Sequence, residues 1–271
     1  MKNKTDKTCI KYWGGKQQLV PKLLELIPQH YTYCEPFFGG GALFFAKNLS
    51  QNEVINDLND NMINFYRILK RRFKELFEEV EITLYSEFQH KQAVKLWKEG
   101  MSEDEIKRAW AVFVLSHQSF SGILGSTWAF SRSKNEAIRW DNIKRNFDQR
   151  YSRRLERTQI FCRDALNVIE LSDDPNTFFF IDPPYYNADM GHYKGYTEMD
   201  FKNLLNMLTK LQGKFLLTTY PSQILDDYTE SNKWLTINNN MHLSAANKKG
   251  ATKNEVFTMN YPRPIQQSIL F

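Results

Sequence analysis

Asp182-Pro183-Pro184-Tyr185 follows the apolar run Phe178-Phe179-Phe180-Ile181, so a buried strand ends at a carboxylate, two prolines and an aromatic ring. The prolines cannot extend a strand ladder, and they hold the turn stiff and extended. Asp182 and the Pro183 carbonyl can then both face a bound amino group, while Tyr185 offers its ring to a planar base. That equipment suits an exocyclic amine of a nucleobase. Such a nitrogen is a poor nucleophile because its lone pair is delocalised into the ring. Hydrogen bonds from its protons to Asp182 and the Pro183 carbonyl favour a pyramidal, reactive geometry, and the same acceptors stabilise positive charge developing on nitrogen. None of Cys9, Cys34 and Cys162 follows a proline, which excludes a cysteine nucleophile of the kind that attacks a cytosine ring carbon.

A second site is the turn Pro36-Phe37-Phe38-Gly39-Gly40-Gly41 between an expected strand and an expected helix. Glycines there let the backbone approach a ligand closely. The turn lacks the Lys-Ser/Thr ending of a P-loop and the full dinucleotide spacing, and a turn built for packing would account for it alone. Asp57 raises its weight. It lies about twenty residues on, at the end of the next expected strand, where a carboxylate can accept both hydroxyls of a ribose. Together they imply an adenosine-type cofactor.

The ordered set Lys11-Tyr12-Trp13-Gly14-Gly15-Lys16, Glu35-Pro36-Phe37-Phe38-Gly39-Gly40-Gly41, Asn56-Asp57, Asp164 and Asp182-Pro183-Pro184-Tyr185 resembles the Dam-type (class D12, α-group) DNA adenine N6-methyltransferases. The resemblance implies S-adenosylmethionine as cofactor and duplex DNA as substrate. It implies that Tyr12, Trp13, Gly14 and Lys16 border the cofactor pocket and that Glu35, Pro36, Phe37, Phe38, Gly39 and Gly41 pass its methionine end. Asp57 would hold the ribose and Asp164 the adenine amine. Trp13 stands where family members commonly carry a small residue or proline. The segment 116–132 occupies the place of the family's DNA-reading hairpin, without residue-by-residue correspondence.

The elements that must position these residues follow from periodicity. Helices are expected over 17–27 and 42–48, then as one long amphipathic helix from Met62 through Val80, and over 85–98 and 103–117. Strands are expected over 31–35, 53–56, 159–162, Thr177–Ile181 and Lys214–Thr219, with 234–238 and 255–260 as a final antiparallel pair. Residues 116–140 read as loops around a short hairpin, and 141–157 as basic helix. The fold class is thus α/β: a Rossmann-like S-adenosylmethionine-dependent methyltransferase sheet with helices on both faces, formed by 1–60 and 158–271, and a smaller, mainly helical DNA-recognition insertion over 61–157.

The chain has 271 residues, 42% of them hydrophobic, and a formal charge of +5 from 36 basic and 31 acidic residues, which permits a polyanionic partner without requiring one. Basic residues cluster at Lys70-Arg71-Arg72 and across Lys144, Arg145, Arg150, Arg153, Arg154 and Arg157. Ser119, Gly122, Trp128, Arg132, Lys134 and Arg139 mix flexible backbone, aromatics and cations in a way that suits phosphate and groove contact. Three cysteines without paired spacing speak against a disulfide framework or a metal site, and no apolar stretch reaches membrane-spanning length. A monomeric, cytoplasmic protein of a bacterial or phage-infected cell is expected. Tyr186, Tyr193 and Tyr196 sit in a loop expected to order over a flipped base. The tail Gln266-Gln267-Ser268-Ile269-Leu270-Phe271 resembles peptides that dock into bacterial sliding clamps. Cytosine N4 methylation and a non-catalytic DNA-binding relic are the alternatives to adenine N6 methylation.

Overall fold

A computed structural model describes residues 7–99, 104–187, 195–242 and 252–264. The loop tyrosine Tyr193 and the C-terminal Gln266–Phe271 peptide lie outside them. In chain order the elements are α1 (Val20–Leu24), β1 (Thr32–Glu35), α2 (Ala42–Ala46), β2 (Asn52–Asn56), α3 (Asp60–Arg71), α4 (Phe73–Glu81), α5 (Glu87–Glu99) and α6 (Glu105–Gln118). There follow α7 (Glu136–Arg145), α8 (Arg150–Arg154), β3 (Thr158–Phe161), α9 (Ala165–Ser172), β4 (Thr177–Ile181), α10 (Glu198–Leu208), β5 (Lys214–Thr219), α11 (Gln223–Asn232), β6 (Leu235–His242) and β7 (Thr252–Met259).

The seven strands are ordered β3-β2-β1-β4-β5-β7-β6. β1, β4 and β5 run parallel, and β7 inserts antiparallel between β5 and β6. The 3-2-1-4-5 part is the doubly wound order, whose direction of growth reverses between β1 and β4. Ligands bind beyond the carboxyl ends of the strands at such a reversal, and here those ends carry Glu35 and Asp182. The fold is the expected α/β sheet of Rossmann type. Among the described residues no helix is long and apolar enough to cross a membrane.

The chain divides into two compact units: Met1–Pro21, Phe38–Leu49 and Ile55–Arg163; and Lys22–Phe37, Ser50–Val54 and Asp164–Phe271. The second contains β4 and β5, buried along almost their whole length, which explains why both read as continuous apolar runs. The first is organised on α6, whose residues Ala109 to Ser116 are all buried, with α3, α4 and α5 packed against it.

Three expectations about helices are corrected. The long helix from Met62 to Val80 is two helices, broken at Arg72 (φ −132°, ψ 38°) without proline or glycine. Both halves pack on α6, and the break lets Leu76 and Val80 be buried there. Arg72 stabilises the new start by its side-chain bond to Glu75. The loop region ends before Trp140: α7 starts at Glu136, capped by Asn135, whose Oδ1 accepts from the Ala137 and Ile138 N–H groups. The basic helix over 141–157 is likewise interrupted between α7 and α8.

Candidate active site

The acceptor corner is built at the end of β4. Parallel pairing sets Phe180 against Leu216 and Ile181 against Leu217. One step further places Asp182 level with Thr218, the two side chains leaving the sheet on the same face. The Thr218 hydroxyl donates to Asp182 Oδ1 at 2.6 Å, and the Tyr185 hydroxyl reaches the same oxygen at 3.3 Å. The Tyr185 ring meets the Tyr220 ring edge-on, centroids 4.5 Å apart. Asn187 donates to the Pro221 carbonyl at 3.4 Å. Pro183 is buried, while Asp182, Pro184 and Tyr185 are half-buried. A carboxylate, a carbonyl and an aromatic edge are thus held on the rims of two adjacent strands. Thr218 and Tyr220 were not singled out from sequence. Their signal was a hydroxyl and an aromatic at the end of the strand that pairs with β4.

In the same unit, Glu35 ends β1, beside β4. It is buried, and its Oε2 accepts from the Tyr33 hydroxyl at 2.7 Å. Pro36 is buried and Phe37 half-buried beyond it. Asp164 is exposed at the start of α9, where its Oδ1 caps the helix by accepting from Leu166 N–H at 2.9 Å. Tyr186 stacks on Phe201 of α10, centroids 5.1 Å apart. The Tyr196 hydroxyl is buried with no hydrogen-bond partner among the described residues; burial pushes its pKa up, with the Asp200 and Asp164 charges adding to it.

In the other unit the glycine turn closes on itself. Gly39 and Gly41 have φ of 45° and 61°, in the left-handed region, and Gly41 N–H donates to the Phe38 carbonyl at 2.7 Å. A Cβ on Gly39 or Gly40 would lie 3.0 or 2.8 Å from Tyr12, and one on Gly41 would overlap the Phe38 ring. The chain's own aromatics therefore already require these glycines. Asp57 receives Gly39 N–H on Oδ2 at 2.8 Å and Asn59 N–H on Oδ1 at 2.9 Å. Burial raises its pKa, and those two hydrogen bonds work against the rise. Each oxygen keeps a further lone pair, so the carboxylate suits a ligand presenting two hydroxyl donors, as the ribose of S-adenosylmethionine does. Lys16 is buried and donates to the Gly14 carbonyl at 3.0 Å; Tyr12 and Trp13 are half-buried. The fully buried Asn56 pairs with Arg163 in both directions, its Nδ2 donating to the carbonyl at 3.0 Å and its Oδ1 accepting the N–H at 2.9 Å. That pair ties the end of β2 to the end of β3. Among the described residues no cluster of His, Cys, Asp and Glu is arranged to hold a metal ion.

The expected DNA-reading residues separate into frame and surface. A bridge joins Ser119 to Trp128, and Phe120 N–H donates to the Thr127 carbonyl at 2.8 Å, closing the short hairpin. Ser119 is buried against His90 Nε2 at 2.9 Å, and Gly122 (φ 72°) leaves room for the Lys11 chain, which a Cβ would meet at 3.0 Å. Trp128 packs between Tyr85 and Phe130. Arg139 pairs with Glu136 and donates to the His117 carbonyl at 2.7 Å. Arg132 and Lys134 are exposed, as are Phe120 and Phe130.

The family model described as D12 class N6 adenine-specific DNA methyltransferase matches residues 12–243. The type II methyltransferase M1.LlaDCHI of Lactococcus lactis subsp. cremoris is 29% identical over 220 residues, covering 74% of each chain. The type II methyltransferase M.MjaIII of Methanocaldococcus jannaschii is 26% identical over 223 residues, 73% of this chain and 75% of its own. The type II methyltransferase M.CviBI of Paramecium bursaria Chlorella virus NC1A is 25% identical over 236 residues, 82% of this chain and 87% of its own. The family match takes in the glycine turn, Asp57, Asp164 and the whole acceptor corner, and on its extent the chain belongs to the D12 class N6 adenine-specific DNA methyltransferases.

Proposed function

We propose that this enzyme methylates the N6 amine of adenine in duplex DNA with S-adenosylmethionine as donor, on a base rotated out of the helix. The observation that carries the reading is the acceptor corner, where Asp182 is held by Thr218 and Tyr185 is backed by Tyr220. S-adenosylmethionine, when bound, supplies an electrophilic methyl group on a sulfonium. Asp182 and the Pro183 carbonyl accept the two amine hydrogens and localise the nitrogen lone pair. They would then stabilise the positive charge that grows on nitrogen as the N–C bond forms and the methyl–sulfur bond breaks, its electron pair staying on sulfur as a neutral thioether, before one amine proton leaves to solvent. Tyr185 offers its face to the extruded base, against an unstacking cost of a few kcal/mol. Asp57 accepts the donor's ribose hydroxyls, the glycine turn and Glu35 to Phe37 line its methionine end, Tyr12, Trp13, Gly14 and Lys16 border its pocket, and Asp164 takes its adenine amine. Arg132 and Lys134 contact phosphates, while Ser119, Gly122 and Trp128 shape the reading segment within 61–157.

The test is methylation of a random-sequence duplex pool, followed by nucleoside digestion and mass measurement. N6-methyladenine is expected, with sequencing of modified positions giving the recognition site; N4-methylcytosine would overturn the reading. Asp182→Ala is expected to lower the rate by about 100- to 1000-fold.

A further inference from the structure

We propose that Thr218 is a positioning residue for the acceptor carboxylate, setting the rotation of Asp182 through the hydrogen bond from its hydroxyl. The inference rests on the reading of Asp182 as the amine acceptor and deepens it.

Three observations carry it. Thr218 is fully buried in β5, and its Oγ1 donates to Asp182 Oδ1 at a short 2.6 Å. The donor is rigid: threonine is stiff at χ1, and Thr218 is held in β5 by its pairing with Phe257 of β7. Asp182, by contrast, lies one residue past the end of β4, on a half-exposed rim. The Tyr185 hydroxyl stands at 3.3 Å on the same oxygen and belongs to the same turn, so it cannot anchor Asp182 to the sheet. Thr218 references the carboxylate to the rigid strand. With Oδ1 held there, the plane of the carboxylate is fixed, and so is the direction in which it meets an amine hydrogen. Reacting groups misplaced by about 1 Å lose on the order of 100-fold in rate.

Thr218→Val retains the branched shape and strand preference of the side chain and removes only the donor, whereas Thr218→Ser retains the donor. Single-turnover methylation of a random-sequence duplex pool, with cofactor and DNA dissociation constants measured alongside, separates positioning from folding. Thr218→Val should slow the single-turnover rate by about 10- to 100-fold, with both dissociation constants within about two-fold of wild type. Thr218→Ser should stay within about three-fold of wild type. Wild-type rate in Thr218→Val, equal loss in Thr218→Ser, or a rate loss that follows loss of cofactor or DNA affinity would each overturn the inference. Asp182→Ala serves as the reference: if it is inactive while Thr218→Val is fully active, the Thr218 inference falls and the function stands. An Asp182→Ala protein at wild-type rate removes the function reading itself.

Discussion

Tyr185 contributes two separable things to the acceptor corner, a ring facing Tyr220 and a hydroxyl 3.3 Å from Asp182. The hydroxyl lies farther from that oxygen than the Thr218 hydroxyl does, so the proposed role of Tyr185 is assigned mainly to its ring. Tyr185→Phe is expected to keep activity within about three-fold, whereas Tyr185→Ala loses stacking worth about 1–3 kcal/mol, or about 5- to 160-fold. Equal losses in steady-state turnover would assign the role to the hydroxyl instead. Gly41 makes the complementary point about residues that look functional. Its left-handed φ of 61° and the adjacent Phe38 ring forbid a side chain whatever binds nearby. Gly41→Ala combines a strained backbone with an overpacked core and should cost about 2–4 kcal/mol, read as a lowered urea midpoint with no ligand present. An unchanged midpoint would mean that the turn relaxes freely and that its glycines answer to the cofactor alone.

At the scale of elements, α6 carries a half-buried titratable group at its last turn. His117 donates from Nε2 to the Cys9 carbonyl at 3.0 Å and faces Arg139 and Lys11. Burial depresses its pKa from 6.5 to about 4, against the Cys9 hydrogen bond, which favours the cation. The folded chain therefore refuses a proton that the unfolded chain takes up below pH 6.5. Stability is fully present above 6.5 and declines as pH falls toward about 4. At pH 5 the loss is at most about 2 kcal/mol, since the ring retains some surface. His117→Gln keeps a donor to Cys9 and should flatten the fall in urea midpoint between pH 7 and 5; identical slopes would discard this source. Elements of this kind were unequally legible. β4 and β5 matched their expected bounds because buried parallel strands are unbroken apolar runs with sharp polar ends. The break at Arg72 had no local signature, since packing on α6 decides it. α7 did have one, Asn135 followed by Glu136, but the surrounding serines and aromatics masked it. The partnership of Thr218 with Asp182 depends on the register between two strands separated by α10, information that no local period carries.

Across the whole molecule, a net charge of +5 says less than which cations the fold already uses. The two basic clusters are largely committed. Lys70 donates to the Thr158 carbonyl, Lys144 to the Glu81 carbonyl, and Arg145 and Arg150 pair with Asp141 and Asp148. Arg154 lies 3.6 Å from the Phe44 ring centre and donates from Nε and Nη2 to the Phe44 carbonyl at 3.2 and 2.7 Å. Arg132 and Lys134 are exposed, with no ion pair among the described residues. The two kinds of cation should behave differently on DNA. Each phosphate contact adds about 0.9 to the slope of log affinity against log salt. Arg132→Ala/Lys134→Ala is therefore expected to reduce that slope by about 2 on duplex DNA, with the urea midpoint unchanged. Arg154→Ala should do the reverse, lowering stability by about 1–3 kcal/mol, read as a lower urea midpoint, through the lost stacking and the stranded Phe44 carbonyl, with the slope intact. If the double variant keeps the full slope, or Arg154→Ala abolishes as much of it, phosphate contact belongs to the helical clusters and not to the segment that follows the hairpin.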